Sequence, residues 1–99
     1  MKKYNISEND MQNMLDILNA LKDKTRLKIV FELMDGKKNV GQLVESIGMT
    51  QSAVSHQLIL LKKYNLVNNV KEGNRVYYSL SDKHVEDVVK LCLAHAREK

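Results

Sequence analysis

The spacing of the apolar residues changes once along the chain, and this change limits the fold more than any other feature. Before Asn65 the apolar residues recur at helical spacing, whereas between about residues 66 and 80 they alternate with polar residues around the sequence KEGN. The sequence therefore predicts four helices followed by a β-hairpin with Gly73 at its tip. A fifth helix is expected over about residues 82 to 97.

Residues that suit helix ends mark the first four helices. An N-cap side chain accepts a hydrogen bond from a free backbone N–H group of the first turn. The candidate N-caps are Ser7, Asp23, Asn39 and Thr50. Gly36 and Gly48 are the predicted C-terminal stops of the second and third helices. The first helix is expected over about residues 7 to 21.

The length and composition predict one small globular domain. A chain of 99 residues can bury one hydrophobic core, and 43% of its residues are hydrophobic and 28% charged. No stretch approaches the ~20 apolar residues of a membrane span. Residues 1 to 4 lead into a polar and amphipathic segment, which is unlike a secretory signal. We therefore expect a single domain over residues 1 to 99, located in the cytoplasm and without a membrane partner.

Several function classes are disfavoured by what the sequence contains. The single cysteine, Cys92, excludes an internal disulfide and a cysteine-rich zinc site. We expect Cys92 to be a buried thiol rather than a metal ligand. The sequence has no glycine-rich phosphate-binding loop and no nucleophile paired with a base, so an enzyme is not expected. A net charge of +4 is compatible with a nucleic-acid partner but is too common to identify one.

The segment ESIGMTQSAVSHQL has the form of a helix-turn-helix unit, with two short helices joined by a turn that contains glycine. Its second helix, which starts at Thr50, would lie in the major groove of DNA. With the unit over about residues 39 to 65 and a hairpin wing over about 66 to 80, the predicted fold is a winged helix-turn-helix, mainly α.

Polar groups on the second helix and basic groups on the hairpin are candidates for DNA contacts. Amide, hydroxyl and imidazole groups pair with base edges or phosphates, and basic side chains reach phosphates or the minor groove. The candidates are Gln51, Ser52, Ser55, His56 and Lys63 on the helix, and Lys71, Asn74 and Arg75 on the hairpin. The polar face alone is equally compatible with a solvated surface. The conjunction of the turn, the polar face and the basic hairpin, in this order, favours DNA binding. Ile59 on the same face can pack on a sugar or a thymine methyl.

The last predicted helix carries two histidines and two carboxylates. One stripe at helical spacing contains His84, Val88, Leu91, His95 and Glu98. Asp82 falls at the helix start, where cap-like backbone angles can bring it toward His84. The histidines are eleven residues apart, roughly 16 Å along a helix, whereas zinc holds nitrogen and oxygen ligands at ~2.0 to 2.2 Å. One chain therefore cannot close a metal site.

Two antiparallel copies of this helix can close the site. The two histidines lie symmetrically about Val89 and Lys90, and so, to within one residue, do Asp82 and Glu98. Asp82 and His84 of one chain would meet His95 and Glu98 of a second chain, and twofold symmetry would give two identical sites per homodimer. A closed set of two nitrogen and two oxygen ligands suits regulatory zinc or cobalt. The alternative is that these are only polar residues at the edge of a dimer helix.

Three segments resemble the ArsR/SmtB family of bacterial metal-sensing repressors: LNALKDKTRLKIVFEL, MTQSAVSHQLILLKKYNLV and EGNRVYYSLSDKHV. The resemblance is greatest to the zinc-sensing branch, whose last-helix motif matches Asp82, His84, His95 and Glu98. It implies a dimeric winged helix that binds an imperfect inverted repeat in operator DNA without metal and is released by metal. Other branches bind arsenic, cadmium or lead through cysteines on the third helix, which this chain lacks.

The resemblance also implies a route from metal to DNA. In the family, a metal-bound histidine donates from its second ring nitrogen to a backbone carbonyl at the end of the recognition helix, and the matching residues here are His95 and Asn65. We therefore expect a repressor that responds to Zn(II) or Co(II). The alternative is a winged-helix regulator with a different effector or none, in which the C-terminal residues only stabilise the dimer.

Overall fold

The computed structural model describes residues 3 to 99 as five helices and a three-stranded antiparallel sheet. The elements are α1 (Glu8–Leu21), α2 (Lys24–Leu33), β1 (Lys38–Asn39), α3 (Val40–Ile47), α4 (Gln51–Lys63), β2 (Val67–Glu72), β3 (Arg75–Leu80) and α5 (Lys83–Ala96). The expected winged helix-turn-helix, mainly α with a hairpin wing, is confirmed. Met1 and Lys2, on which the expectation of no secretory signal partly rests, lie outside the described residues. None of the described helices is long and apolar enough to cross a membrane.

Local hydrogen bonds place the helix ends where the sequence predicts them. All four predicted N-caps are confirmed, because each side chain accepts a bond from the first turn of its helix. Ser7 and Asn39 form reciprocal capping boxes with Asp10 and Gln42. Helix α3 ends at Gly48, whose φ of 76° is a left-handed conformation that favours glycine.

The wing is a hairpin to which a third, very short strand is added. Strands β2 and β3 are joined by a two-residue turn, with Glu72 opposite Arg75 and Gly73 at a φ of 62°. Strand β1 pairs with β3 on its other side, so β3 is the central strand. The sequence did not predict β1, because two residues are too few to show an alternating pattern.

The core lies where α2, α3, α4 and the first half of α5 meet. On α4 the side chains of Val54, Leu58 and Leu61 have no exposed surface. On α2 the buried residues are Ile29, Val30 and Leu33. Leu27, Phe31 and Met34, from the same part of the chain, are only partly buried. Leu27 and Phe31 instead line a groove between α1 and α5.

Helices α1 and α5 each leave an apolar stripe exposed. On α1 the side chains of Met11, Met14, Leu15 and Leu18 are 39 to 53% exposed, and only Ala20 and Leu21 at its end are buried. On α5, Val88 is 45% and Leu91 72% exposed, whereas Val85 and Val89 pack into the core. A single chain therefore covers only one side of each helix.

Candidate DNA interface and metal centre

The N-terminal half of α4 offers an open polar face. Thr50 caps the helix by accepting from the backbone N–H of Ala53 at 3.2 Å. Beside this cap, Gln51, Ser52 and His56 are exposed, and Ser55 is half-buried. Among residues 3 to 99, the polar atoms of Gln51, Ser55 and His56 form no side-chain hydrogen bond, so they are free to meet an outside partner.

The tip of the wing and the start of α4 border one groove. Gln51, Asn74 and Arg75 line one groove of about 420 Å³ together with the first residues of α3. Arg75 and the start of α4, which is the positive end of the helix dipole, therefore border the same groove, and this suits a phosphate. Lys71 is exposed further along β2, and Lys63 is exposed at the opposite end of α4, where it lies over the Tyr64 ring.

A lysine that sequence reasoning missed joins α4 to the wing. Lys62 Nζ donates to Asn69 Oδ1 at 2.7 Å, which ties the end of α4 to β2. The basic residue at a helix end was visible in the sequence, but its partner was not, because the pairing depends on how the hairpin folds back.

Each end of α5 brings one histidine and one carboxylate together. Asp82 is the N-cap, and its extended backbone places Oδ1 3.6 Å from Nδ1 of His84, as the cap geometry predicts. At the other end, Nδ1 of His95 lies 3.6 Å from Oε1 of Glu98, which follows the helix end. Both distances exceed a normal hydrogen bond, so neither histidine is bonded to its carboxylate. Asp82 Oδ1 also accepts from the Val85 backbone N–H at 3.3 Å as the helix cap.

The two ends are separate half-sites. Within residues 3 to 99 no group of three or more histidine, cysteine or acidic side chains could hold a metal ion. The regular helix keeps the two histidines roughly 16 Å apart. The side chains are also open to solvent, at 92% exposure for His84 and 80% for His95. A metal site built from all four groups would therefore require a second molecule.

Asn65 ends α4 beside the first half-site. Its φ of 62° is left-handed, and the bonds from Asn65 N to Lys62 O and from Leu66 N to Leu61 O close the helix end. The Asn65 carbonyl accepts from Ser81 Oγ at 2.7 Å. Asn65, Asp82 and His84 line one cavity of about 270 Å³. His95 lies three turns further along α5, so one chain does not bring the two predicted relay residues together.

The thiol of Cys92 is exposed in the single chain, so it is not a core residue, and its expected burial stays a prediction for a dimer interface. The reason is that α5 extends past the core. Its only buried residues, Val85 and Val89, lie in its first half. Cys92 instead lines the open groove that also contains Leu18 and Phe31.

The comparisons with known proteins agree with this architecture. The sequence model described as bacterial regulatory protein, arsR family, matches residues 23 to 69. The chain is 37% identical to a homologue of the cadmium resistance transcriptional regulatory protein CadC from Staphylococcus aureus, over 97% of this chain and 84% of that protein. It is 34% identical to a homologue of the transcriptional repressor SmtB from Synechocystis, over 94% of this chain and 70% of that protein.

Solved structures are similar over most of the chain. HlyU from Vibrio cholerae superimposes with a TM-score of 0.81 at 32% identity, covering 87% of this chain and 94% of that one. A homodimeric winged helix-turn-helix DNA-binding domain from Mycobacterium bovis has a TM-score of 0.86 at 26% identity, covering 96% and 91%. These relatives are regulators rather than enzymes, as expected. The chain therefore belongs to the ArsR family of bacterial regulatory proteins, and it is a winged helix-turn-helix transcriptional regulator.

Proposed function

We propose that the protein is a metal-responsive repressor that binds operator DNA as a homodimer and is released by Zn(II) or Co(II). The observation that carries the proposal is the pair of histidine and carboxylate half-sites at opposite ends of α5, each with its two donor atoms 3.6 Å apart. Two relatives, homologues of a cadmium resistance regulator and of the SmtB repressor, support the same class of regulator.

The exposed stripes of α1 and α5 support a dimer. Large apolar patches rimmed by polar residues mark protein contacts. On α5, Val88 and Leu91 lie symmetrically about Val89 and Lys90, as the histidines do. In an antiparallel pair of α5 helices, Val88 of one chain would therefore pack on the partner's Leu91, between the two metal sites. The homodimer of the M. bovis neighbour supports this assembly.

The donor atoms fit a tetrahedral metal. Ligands at ~2.0 to 2.1 Å from a tetrahedral zinc lie about 3.3 Å from one another. The 3.6 Å between nitrogen and oxygen in each half-site is within a few tenths of an ångström of that ligand-to-ligand distance. Imidazole and carboxylate favour zinc or cobalt over the softer cadmium, which prefers thiolates. When bound, the metal would supply positive charge and a fixed geometry that holds two chains together.

Metal binding by each histidine could affect the DNA-binding face through a hydrogen bond from the second ring nitrogen. Both rings turn Nδ1 toward the carboxylate, which leaves Nε2 free to donate. In the antiparallel dimer, the partner's His95 comes to the end of α5 where the Asn65 carbonyl lies. A bond there would shift the end of α4. The two recognition helices would then no longer match successive major grooves, which are ~34 to 36 Å apart.

The test is operator binding with and without zinc at one salt concentration, because phosphate contacts make affinity strongly salt-dependent. The operator can be selected from random duplexes by the metal-free protein. We expect zinc to lower the affinity by roughly 5- to 150-fold, the usual range of allosteric coupling. His95→Asn should abolish this response, whereas Asp87→Asn on the same helix should keep it. An unchanged wild-type affinity would favour the alternative, a regulator whose C-terminal residues serve only dimerisation.

A further inference from the structure

Arg26, near the start of α2, joins three helices through one side chain. Its Nε donates to the backbone carbonyl of Ala20 at 2.8 Å, and its Nη1 donates to Oε1 of Gln57 at 2.9 Å. Its Nη2 lies 3.5 Å from the carbonyl of Asn19. Ala20 and Asn19 belong to α1, whereas Gln57 belongs to α4.

The carbonyls at the end of α1 and the side-chain amide of Gln57 are both suited to the positive charge of Arg26. The last carbonyls of a helix have no partner within it and form its negative end, so the guanidinium both pairs and neutralises the end of α1. Gln57 is half-buried beside the core stripe of α4 and does not belong to the exposed recognition face. The planar guanidinium can satisfy both helices at once, which the single ammonium of a lysine cannot do in the same geometry.

In the described part of the chain, no other side chain makes such a connection. Among the side-chain hydrogen bonds of residues 3 to 99, those of Arg26 alone link α1, through α2, to α4. Helix α1 carries the apolar stripe that the proposed dimer covers, and α4 carries the candidate DNA-contacting residues. This contact therefore connects the recognition helix to the helix that the proposed dimer covers.

We propose that Arg26 and Gln57 are positioning residues for operator binding. They hold α4 at a fixed angle to α1, so that the two recognition helices of a dimer contact the two halves of the operator repeat at once. This inference rests on the proposed homodimer. It assigns no contact with DNA or metal to either residue, and it concerns the metal-free protein.

The experiment compares two duplexes at fixed salt and without metal, one with the full inverted repeat and one with a single half-site. Gln57→Leu removes the link to α4 but leaves the bond between Arg26 and Ala20. Loss of a hydrogen bond to a charged group changes an equilibrium constant by about tenfold or more. We therefore expect about tenfold weaker binding to the full repeat. Binding to the half-site should change little, because it needs only one helix in place.

Two further variants control for a loss of fold. Gln57→Glu keeps an acceptor for the guanidinium and should bind the full repeat as the wild type does. Arg26→Met should also weaken binding to the full repeat, and adding Gln57→Leu to it should cost nothing more, since the shared contact is already lost. Dimer mass and thermal unfolding are measured for every variant.

Equal losses on both duplexes, or no loss on either, would overturn the positioning role. So would a Gln57→Glu protein as weak as Gln57→Leu. A wild-type protein that binds both duplexes equally would instead contradict dimeric operator binding itself, and this inference with it.

Discussion

The hydroxyl group of Ser81 donates a 2.7 Å hydrogen bond to the backbone carbonyl of Asn65, and the Ser81 backbone N–H donates to the backbone carbonyl of Leu66 at 3.0 Å. The residue just before the proposed ligand Asp82 therefore holds the end of α4. A carbonyl oxygen has two lone pairs, and Ser81 already uses one of them. In the proposed dimer, this is the same carbonyl that the partner's His95 would reach.

Removal of this hydroxyl should therefore strengthen the metal response. We expect Ser81→Ala to lose about 0.5 to 1.5 kcal/mol of stability with the hydrogen bond. The freed carbonyl should then bind the partner's histidine better, so zinc should lower operator affinity by a larger factor than in the wild type. Operator titrations with and without zinc measure that factor, and Ser79→Ala in β3 is the control. A smaller factor would mean that Ser81 transmits the metal signal instead of competing with it.

The histidine–carboxylate half-sites at the two ends of α5 predict complementation between two defective chains. A chain with Asp82→Ala and His84→Ala, and a chain with His95→Ala and Glu98→Ala, should each form homodimers that bind no zinc tightly. Their heterodimer would contain one intact site, because the intact ends of the two chains meet. Zinc titration of separately tagged, co-purified heterodimers should therefore give one tight site per dimer, against two for the wild type. Absence of zinc binding in the heterodimer would contradict the shared site.

The wing predicts a general contribution to DNA affinity. Arg75→Ala and Lys71→Ala should each weaken binding to all sequences and lower the slope of log affinity against log salt by about 1, as expected for one lost phosphate contact. Lys28→Ala, an exposed lysine on α2, should leave the slope unchanged. If all three variants kept the salt slope of the wild type, phosphate contacts by the wing would be excluded.

The exposed stripe on α5 predicts a sensitive dimer contact. Leu91 is 72% exposed in the single chain, so Leu91→Asp should cost the isolated fold little. In the dimer it would bury a charge against the partner, which is costly without a pairing group. Sedimentation should therefore show monomers for Leu91→Asp. Val70→Asp on the wing, where Val70 is 56% exposed, should remain a dimer. A dimeric Leu91→Asp protein would place the interface elsewhere.

The sequence by itself determined the features that depend on residues close together in the chain. The N-caps at Ser7 and Asn39 and the meeting of Asp82 with His84 follow from contacts two or three residues apart, and the structure has them where the sequence predicts. The separation of the two half-sites follows from the rise of one helix. The fold class was equally readable, because the change from helical to alternating spacing needs no tertiary information.

Only the tertiary structure decided which faces and which distant residues come together. Strand β1 exists because β3 lies beside it, and α2 buries Ile29 and Leu33 because the other helices pack on that side. The exposure of Cys92 follows from the length of α5 beyond the core. Arg26 and Gln57 are 31 residues apart, so no periodicity could join them. Local hydrogen bonding sets the elements, whereas long-range packing sets their contacts, and the connection from α1 to α4 through Arg26 is a long-range contact.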